Sequence, residues 1–201
     1  MKTLIIIDVQ NDFMPDGPLA IKNSDAIVPL INSIQNKFDL VVAAQDWHPP
    51  THASFASNHA GKKEYDTIKI KGLEQVLWPN HCVQGTKGAE FHHDLKTTNI
   101  AATFRKGMSI DIDSYSGFYD NGHLKSTGLA GYLRELKVND LYFCGLAADI
   151  CVYFTVLDAL KEGFNATLIE DATRPLSEAD FVKAKDDLMS KGAKIISSNA
   201  L

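Results

Sequence analysis

Six short apolar runs punctuate the chain: LIIIDV (4–9), LVVAAQ (40–45), IAATFRK (100–106), LYFCGL (141–146), ATLIED (166–171) and AKIIS (193–197). Each is too short for a helix, rich in β-branched residues, and apolar at consecutive rather than alternating positions. That is the signature of a strand covered on both faces. Between most of them the apolar positions recur with helical spacing, over 24–37, 123–137, 150–162 and 177–191. The last of these opens on Ser177 with Asp180 three positions on, an N-terminal capping arrangement. Strand and helix in alternation predict an α/β fold of three layers, a mostly parallel, six-stranded sheet with helices on both faces.

The rhythm breaks once. Residues 46–99 carry no long helical period, only TIKIK with strand-like alternation and a scatter of His, Gly, Pro and Trp. A connection that long inside a compact domain is usually functional. With no repeat, low-complexity tract or linker, residues 1–201 read as one domain, with 46–99 as its site-bearing connection.

Open α/β sheets bind ligands beyond the carboxyl ends of their strands. Those ends carry Asp8, Asp46, Lys106 and, in the turn and helix start after the fourth run, Cys151. Four reactive side chains from four strands are thus expected along one edge.

Composition narrows the ligand class. The chain is 45% hydrophobic and 22% charged with a net charge of -5, and no basic cluster interrupts it. Nucleic acid and anionic membranes are poor partners for such a surface, and small molecules fit better. The N-terminal apolar run ends at Asp8, too short for a signal peptide, and no stretch is long enough to span a bilayer. Three cysteines at irregular spacing argue against a disulfide framework and for a reducing, cytoplasmic setting.

Two constellations carry candidate chemistry. In the first, Asp149 is placed to cap a helix whose first turn holds Cys151. With the helix dipole and a cation such as Lys106 nearby, a thiol's pKa falls from about 8.5 to roughly 3.5–7.5. Asp8 could accept the thiol proton and return it to a leaving group. Position alone fits equally a Cys151 that only packs, as free cysteines often do. In the second, Asp46 and His48 stand two apart just past a strand, with His81 as a third ligand in a carboxylate–imidazole site suited to Zn, Fe or Mn. His92, His93 and His123 read as surface residues. No G-x-G-x-x-G, P-loop or G-x-S-x-G is present, so dinucleotide, phosphate-cradle and serine-hydrolase chemistry lack sequence support.

IIIDVQNDF, AAQDWHP, LWPNHCVQGT, FRKG followed by DSYSGF, and CGLAADICV occur in that order across essentially the whole chain. Together they resemble the nicotinamidases, also called pyrazinamidases, among the isochorismatase-like cysteine hydrolases with their Rossmann-like fold. DWHP with WPNHCVQGT is the most specific part, because much of the superfamily lacks a metal site.

The resemblance implies a metal-dependent amidohydrolase that converts nicotinamide to nicotinate and ammonia through a thioester, a step of NAD salvage, with pyrazinamide as a second substrate. Cys151 would be the nucleophile, Asp8 the general base and then acid, and Lys106 the charge that holds both ionised. Asp46, His48 and His81 would ligate one divalent metal, zinc first and iron or manganese next, with Ser54 beside them through a water. Phe13, Trp78, Tyr115 and Leu146 would form the substrate side. A cis peptide at Leu146–Ala147 would let the N–H groups of Ala147 and Cys151 form an oxyanion hole. Oligomeric state varies in the family, so a homo-oligomer is compatible with it. The loop before the nucleophile more often reads G-[LI]-A-T-D-x-C, and Ala148 and Ile150 depart from the usual residues here. Two other readings remain: a related hydrolase acting on a different amide or a vinyl ether, and a non-enzymatic metal-binding protein in which Cys151 only packs.

Overall fold

A computed structural model describes residues 1–201. The six apolar runs form six parallel strands: β1 (Lys2–Ile7), β2 (Leu40–Asp46), β5 (Ile100–Lys106), β6 (Asp140–Leu146), β7 (Asn165–Arg174) and β8 (Lys194–Ile196). Their order across the sheet is β5-β2-β1-β6-β7-β8, every pairing parallel. The chain winds outward from β1 in one direction, then returns to pair β6 with the other edge of β1. Beyond the ends of β1 and β6, the strand order reverses and leaves a crevice, the usual binding position in doubly wound sheets.

The unbroken apolar runs are explained by what covers them. Along β1, Ile5 and Ile7 join one buried cluster, and Leu4 and Ile6 join another on the opposite face. The first face is covered by α2 (Leu129–Glu135), α3 (Tyr153–Lys161) and α4 (Glu178–Ser190). The second is covered by α1 (Ile27–Ile34) and by loop residues including Phe13, Met14, Leu19 and Ile21. No helix is long and apolar enough to cross a membrane.

Three local expectations are revised. The helix expected over 24–37 is α1 followed by a 3₁₀ turn at Gln35–Lys37. The helix expected over 123–137 starts only at Leu129, because Asp120 draws the N–H groups of Gly122 and Leu124 into a turn. After β6 the chain makes one π turn, Ala148–Val152, before α3. Asp149 does not cap that turn. Ser177 does cap α4, accepting from the N–H of Asp180 at 3.3 Å.

The connection from β2 to β5 contains an antiparallel hairpin, β3 (Thr67–Ile70) with β4 (Leu73–Val76). Its remaining length is tied into two layers by backbone bonds. The His48 N–H donates to Cys82 O, the Gln84 N–H to His48 O, the Trp78 N–H to Ser54 O and the Ala56 N–H to Trp78 O. These rungs bring DWHPPTHASF and WPNHC side by side above the sheet.

Candidate active site

Each reactive side chain is delivered by a strand end. Asp8 follows β1 in the left-handed conformation (φ 49°), a region that aspartate tolerates better than most residues, and its Oδ1 accepts from the Asp46 N–H at 3.1 Å. Asp46 and Lys106 are register partners on β2 and β5. Hence the Lys106 ammonium reaches Asp46 Oδ1 at 2.5 Å, and it also meets Asp8 Oδ2 at 2.9 Å, the Ser114 carbonyl at 3.1 Å and Cys151 Sγ at 3.4 Å. Lys106, Asp8 and Asp46 are all buried, so this one cation carries the charge balance of the pocket floor. Asp8 Oδ2 makes no hydrogen bond beyond its ion pair, which leaves a lone pair free to take a proton.

The protonation states follow from burial and charge. Burial lifts the Asp8 carboxyl, Lys106 opposes and Asp46 reinforces the rise, and its pKa comes to about 7. Burial acts on Asp46 too, but Lys106 and His48 hold it well below the usual carboxylate range. Burial favours a neutral Lys106, yet the two carboxylates keep it firmly charged. The Cys151 thiol is pushed well up, first by burial, with Lys106 opposing and Asp8 and Asp46 adding to it. This corrects the expectation of a thiol acidified by a helix start and a cation. The lysine's charge is shared with two carboxylates, and the thiol keeps its proton until a base removes it.

Beside this group Asp46 Oδ2 lies 3.5 Å from His48 Nε2 and 3.7 Å from His81 Nε2. Each imidazole is oriented from behind: His48 Nδ1 bonds the Gly107 carbonyl at 2.9 Å and His81 Nδ1 the Pro79 carbonyl at 2.8 Å. With the proton on Nδ1 in both rings, both Nε2 lone pairs point into the space shared with Asp46. Two imidazole nitrogens and one carboxylate oxygen, all buried and all held by outer contacts, fit a divalent transition metal with coordination positions to spare. Gln10 secures the carboxylate's backbone: its amide donates to the Asp46 carbonyl and accepts from the Asp46 N–H, at 2.8 and 2.9 Å.

Ser54 is buried next to this group, and its Oγ is 2.7 Å from His52 Nδ1. His52, wholly buried with its ring centroid 4.4 Å from that of His48, was not singled out by sequence. Burial depresses its pKa to about 4, so the ring is neutral. The only sequence signal for it was its place in the same HPPTH run.

A pocket opens onto Cys151, Asp46 and His81. Phe13, Trp78 and Tyr115 line it, with the Trp78 indole N–H donating to the Tyr115 hydroxyl at 3.3 Å. Leu146 does not reach it: its side chain is wholly buried in the core, and Ala147 lines the pocket instead. The sequence also missed Leu19, Ile21, Asp113 and Leu176, whose neighbourhood depends on packing between distant segments. The Leu146–Ala147 peptide is cis. The Ala147 carbonyl accepts from the Ile150 and Val152 N–H groups, passing over that of Cys151 between them.

A proton acceptor, a thiol, a fixed cation and a metal-fitting triad around one largely apolar pocket equip the chain for nucleophilic hydrolysis of a small, flat substrate. Comparison with known proteins points the same way. A family model described as the isochorismatase domain matches residues 2–200. A nicotinamidase of Acinetobacter baylyi is 45% identical over 97% of this chain and 92% of its own length. The structure of an Acinetobacter baumanii nicotinamidase/pyrazinamidase superposes with a TM-score of 0.96 at 44% identity, covering 99% of this chain and 97% of that one. A Pyrococcus horikoshii pyrazinamidase, solved in complex with zinc, superposes at 0.81 with 37% identity over 98% of both chains. With a doubly wound sheet, a cysteine beyond its fourth strand and a match running from residue 2 to residue 200, the chain belongs to the isochorismatase family.

Proposed function

We propose that this protein is a nicotinamidase, hydrolysing nicotinamide to nicotinate and ammonia through a thioester on Cys151, with pyrazinamide as a second substrate. The observation that carries the reading is the Lys106 ammonium in simultaneous contact with Asp8, Asp46 and Cys151. The close likeness to nicotinamidases over nearly the whole chain supports the substrate.

Asp8, with a pKa of about 7, is matched to work as base and acid near neutral pH. It takes the thiol proton as Cys151 Sγ attacks the carboxamide carbon. The N–H groups of Ala147 and Cys151 hold the oxyanion, each donor worth roughly a hundredfold or more in rate. Asp8 then passes its proton to the departing nitrogen, ammonia leaves, and the acyl group remains on sulfur. In the second half Asp8 takes a proton from water as the water attacks the thioester. Collapse expels the Cys151 thiolate, which recovers that proton from Asp8. Lys106 holds Asp8 and the sulfur in contact throughout.

Asp46, His48 and His81 would hold a divalent metal, zinc being the first candidate for two imidazoles and a carboxylate. When bound, such an ion supplies a Lewis acid for the ring nitrogen of the substrate. Ser54 stands by as a contributor through water. Phe13, Trp78 and Tyr115 sandwich the ring and exclude solvent.

The test is ammonia release from nicotinamide by the purified protein, beside Cys151→Ala and a chelator-treated sample. Release that vanishes in the variant and falls on chelation is expected. No release from the reduced, metal-loaded protein would sink the assignment and turn attention to other amides.

A further inference from the structure

Asp149, two residues before the nucleophile, spends its carboxylate on a distant segment. Oδ1 accepts from the Leu176 N–H and Oδ2 from the Ser177 N–H, both at 2.8 Å. Leu176 and Ser177 belong to the loop between β7 and α4. Leu176 lines the pocket, and so does Ile150, the neighbour of Asp149. The carboxylate therefore ties the nucleophile turn to one wall of the pocket through two charge-assisted bonds.

That wall is at the pocket's mouth. Leu176 is 37% exposed, whereas Phe13, Leu19, Ile21 and Trp78 are each below 8%. An apolar side chain so open to water has little packing of its own to fix it, and its position is inherited from its backbone. The two bonds from Asp149 supply that backbone anchor.

We propose that Asp149 is a positioning residue that sets the width of the pocket mouth, and that Leu176, held by it, determines which ring substituents an amide substrate can carry. The ring in question rests on the nicotinamidase reading, but the mouth itself does not. On that reading a methyl added to the edge of the ring that faces the mouth would meet Leu176, where the parent ring would not. Apolar walls discriminate a single methyl or methylene by roughly 10–200-fold.

The experiment compares wild type, Leu176→Ala, Asp149→Asn and the double variant on nicotinamide and 5-methylnicotinamide. In the same proteins, peptide mass spectrometry follows Cys151 alkylation by iodoacetamide and by bulkier N-phenyliodoacetamide. Asparagine keeps the shape of Asp149 but turns an NH₂ towards one of the two N–H groups. The kcat/KM ratio of methylated to parent amide is expected to rise about tenfold in Leu176→Ala and severalfold in Asp149→Asn. The double variant should match Leu176→Ala, since Asp149 acts through that side chain. The bulky-to-small alkylation ratio should rise in parallel. A purely structural Asp149 would lower Tm and slow both amides equally with both ratios unchanged, and that result overturns the proposal. If wild type does not turn over nicotinamide, the nicotinamidase reading fails and the alkylation ratios alone decide the mouth. Should Asp149→Asn not fold, hydrogen exchange on wild type decides: the Leu176 and Ser177 amides must be protected like core-strand amides, and exchange at loop rates overturns the clasp.

Discussion

Gly107→Ala tests whether the imidazoles are held by their backbone contacts. Gly107 follows β5 with φ +64°, and its carbonyl accepts from His48 Nδ1 at 2.9 Å. A methyl placed there would sit 2.3 Å from His48 Cε1 and 2.5 Å from Nδ1, so the ring must move by about an ångström to restore van der Waals contact. Left-handed backbone costs an alanine about 1–2 kcal/mol. Losing a buried hydrogen bond at His48 adds about 1–3 kcal/mol. The sum, about 2–5 kcal/mol, corresponds to a Tm lower by at least about 4 °C for a chain of this size. Displacing an oriented imidazole also weakens metal affinity by roughly 10–100-fold. Gly61→Ala is the control, with φ +75° and nothing within 4 Å of the added methyl, so it carries the backbone strain alone. Calorimetry and zinc titration against a competing chelator read both effects. If Gly107→Ala binds zinc as wild type does and melts no lower than Gly61→Ala, the claim that Gly107 sets the His48 ring is wrong.

Lys106→Met leaves Asp8 and Asp46 buried without their shared cation, a loss of about 3–5 kcal/mol by analogy with broken buried pairs; a variant that melts like wild type and still releases ammonia would refute the assigned role. Gln10→Leu strips the Asp46 carbonyl of its side-chain donor, while the Asp46 N–H keeps Asp8 Oδ1; destabilisation of about 1–3 kcal/mol in a urea titration is expected, and none would show that water replaces the amide. Asp171 gives a pH prediction. Burial raises its pKa, but bonds from Ser198 and Ser197 outweigh this and leave it below the ordinary carboxylate value. A lowered folded pKa contributes stability that is present above the unfolded value and lost as pH falls through the folded one. The Tm gap between wild type and Asp171→Asn should therefore be full at pH 6 and close below about pH 4, and a gap that widens in acid would contradict the sign.

The sheet was legible because burial on both faces leaves no charge in the runs LIII or LYFCGL. The convergence of Asp8, Asp46, Lys106 and Cys151 followed from their common place at strand ends. What failed was local reasoning about groups whose partners are remote. Asp149 looked like a cap for its own helix, yet its acceptors' partners lie at Leu176 and Ser177, beyond a helix and a strand. The thiol of Cys151 looked acidic from its turn and the Lys106 cation, but burial and the carboxylates of Asp8 and Asp46 outweigh both. His52 could not be told from the half-buried His92 and the exposed His93 by spacing, since its burial comes from the rungs between the two layers of the β2–β5 connection.

The sheet order has a consequence for how the molecule is made. β1 emerges first, and β2 and β5 can pair on one side of it as they follow, but its other neighbour, β6, is not synthesised until residue 140. Until then the nascent chain presents the bare edge of β1, a row of unmatched backbone donors and acceptors flanked by four consecutive apolar side chains. Such an edge is a template for pairing with another chain. Yield in cells should therefore depend on holdase chaperones and on the speed of translation through the middle of the message more than on the stability of the finished protein.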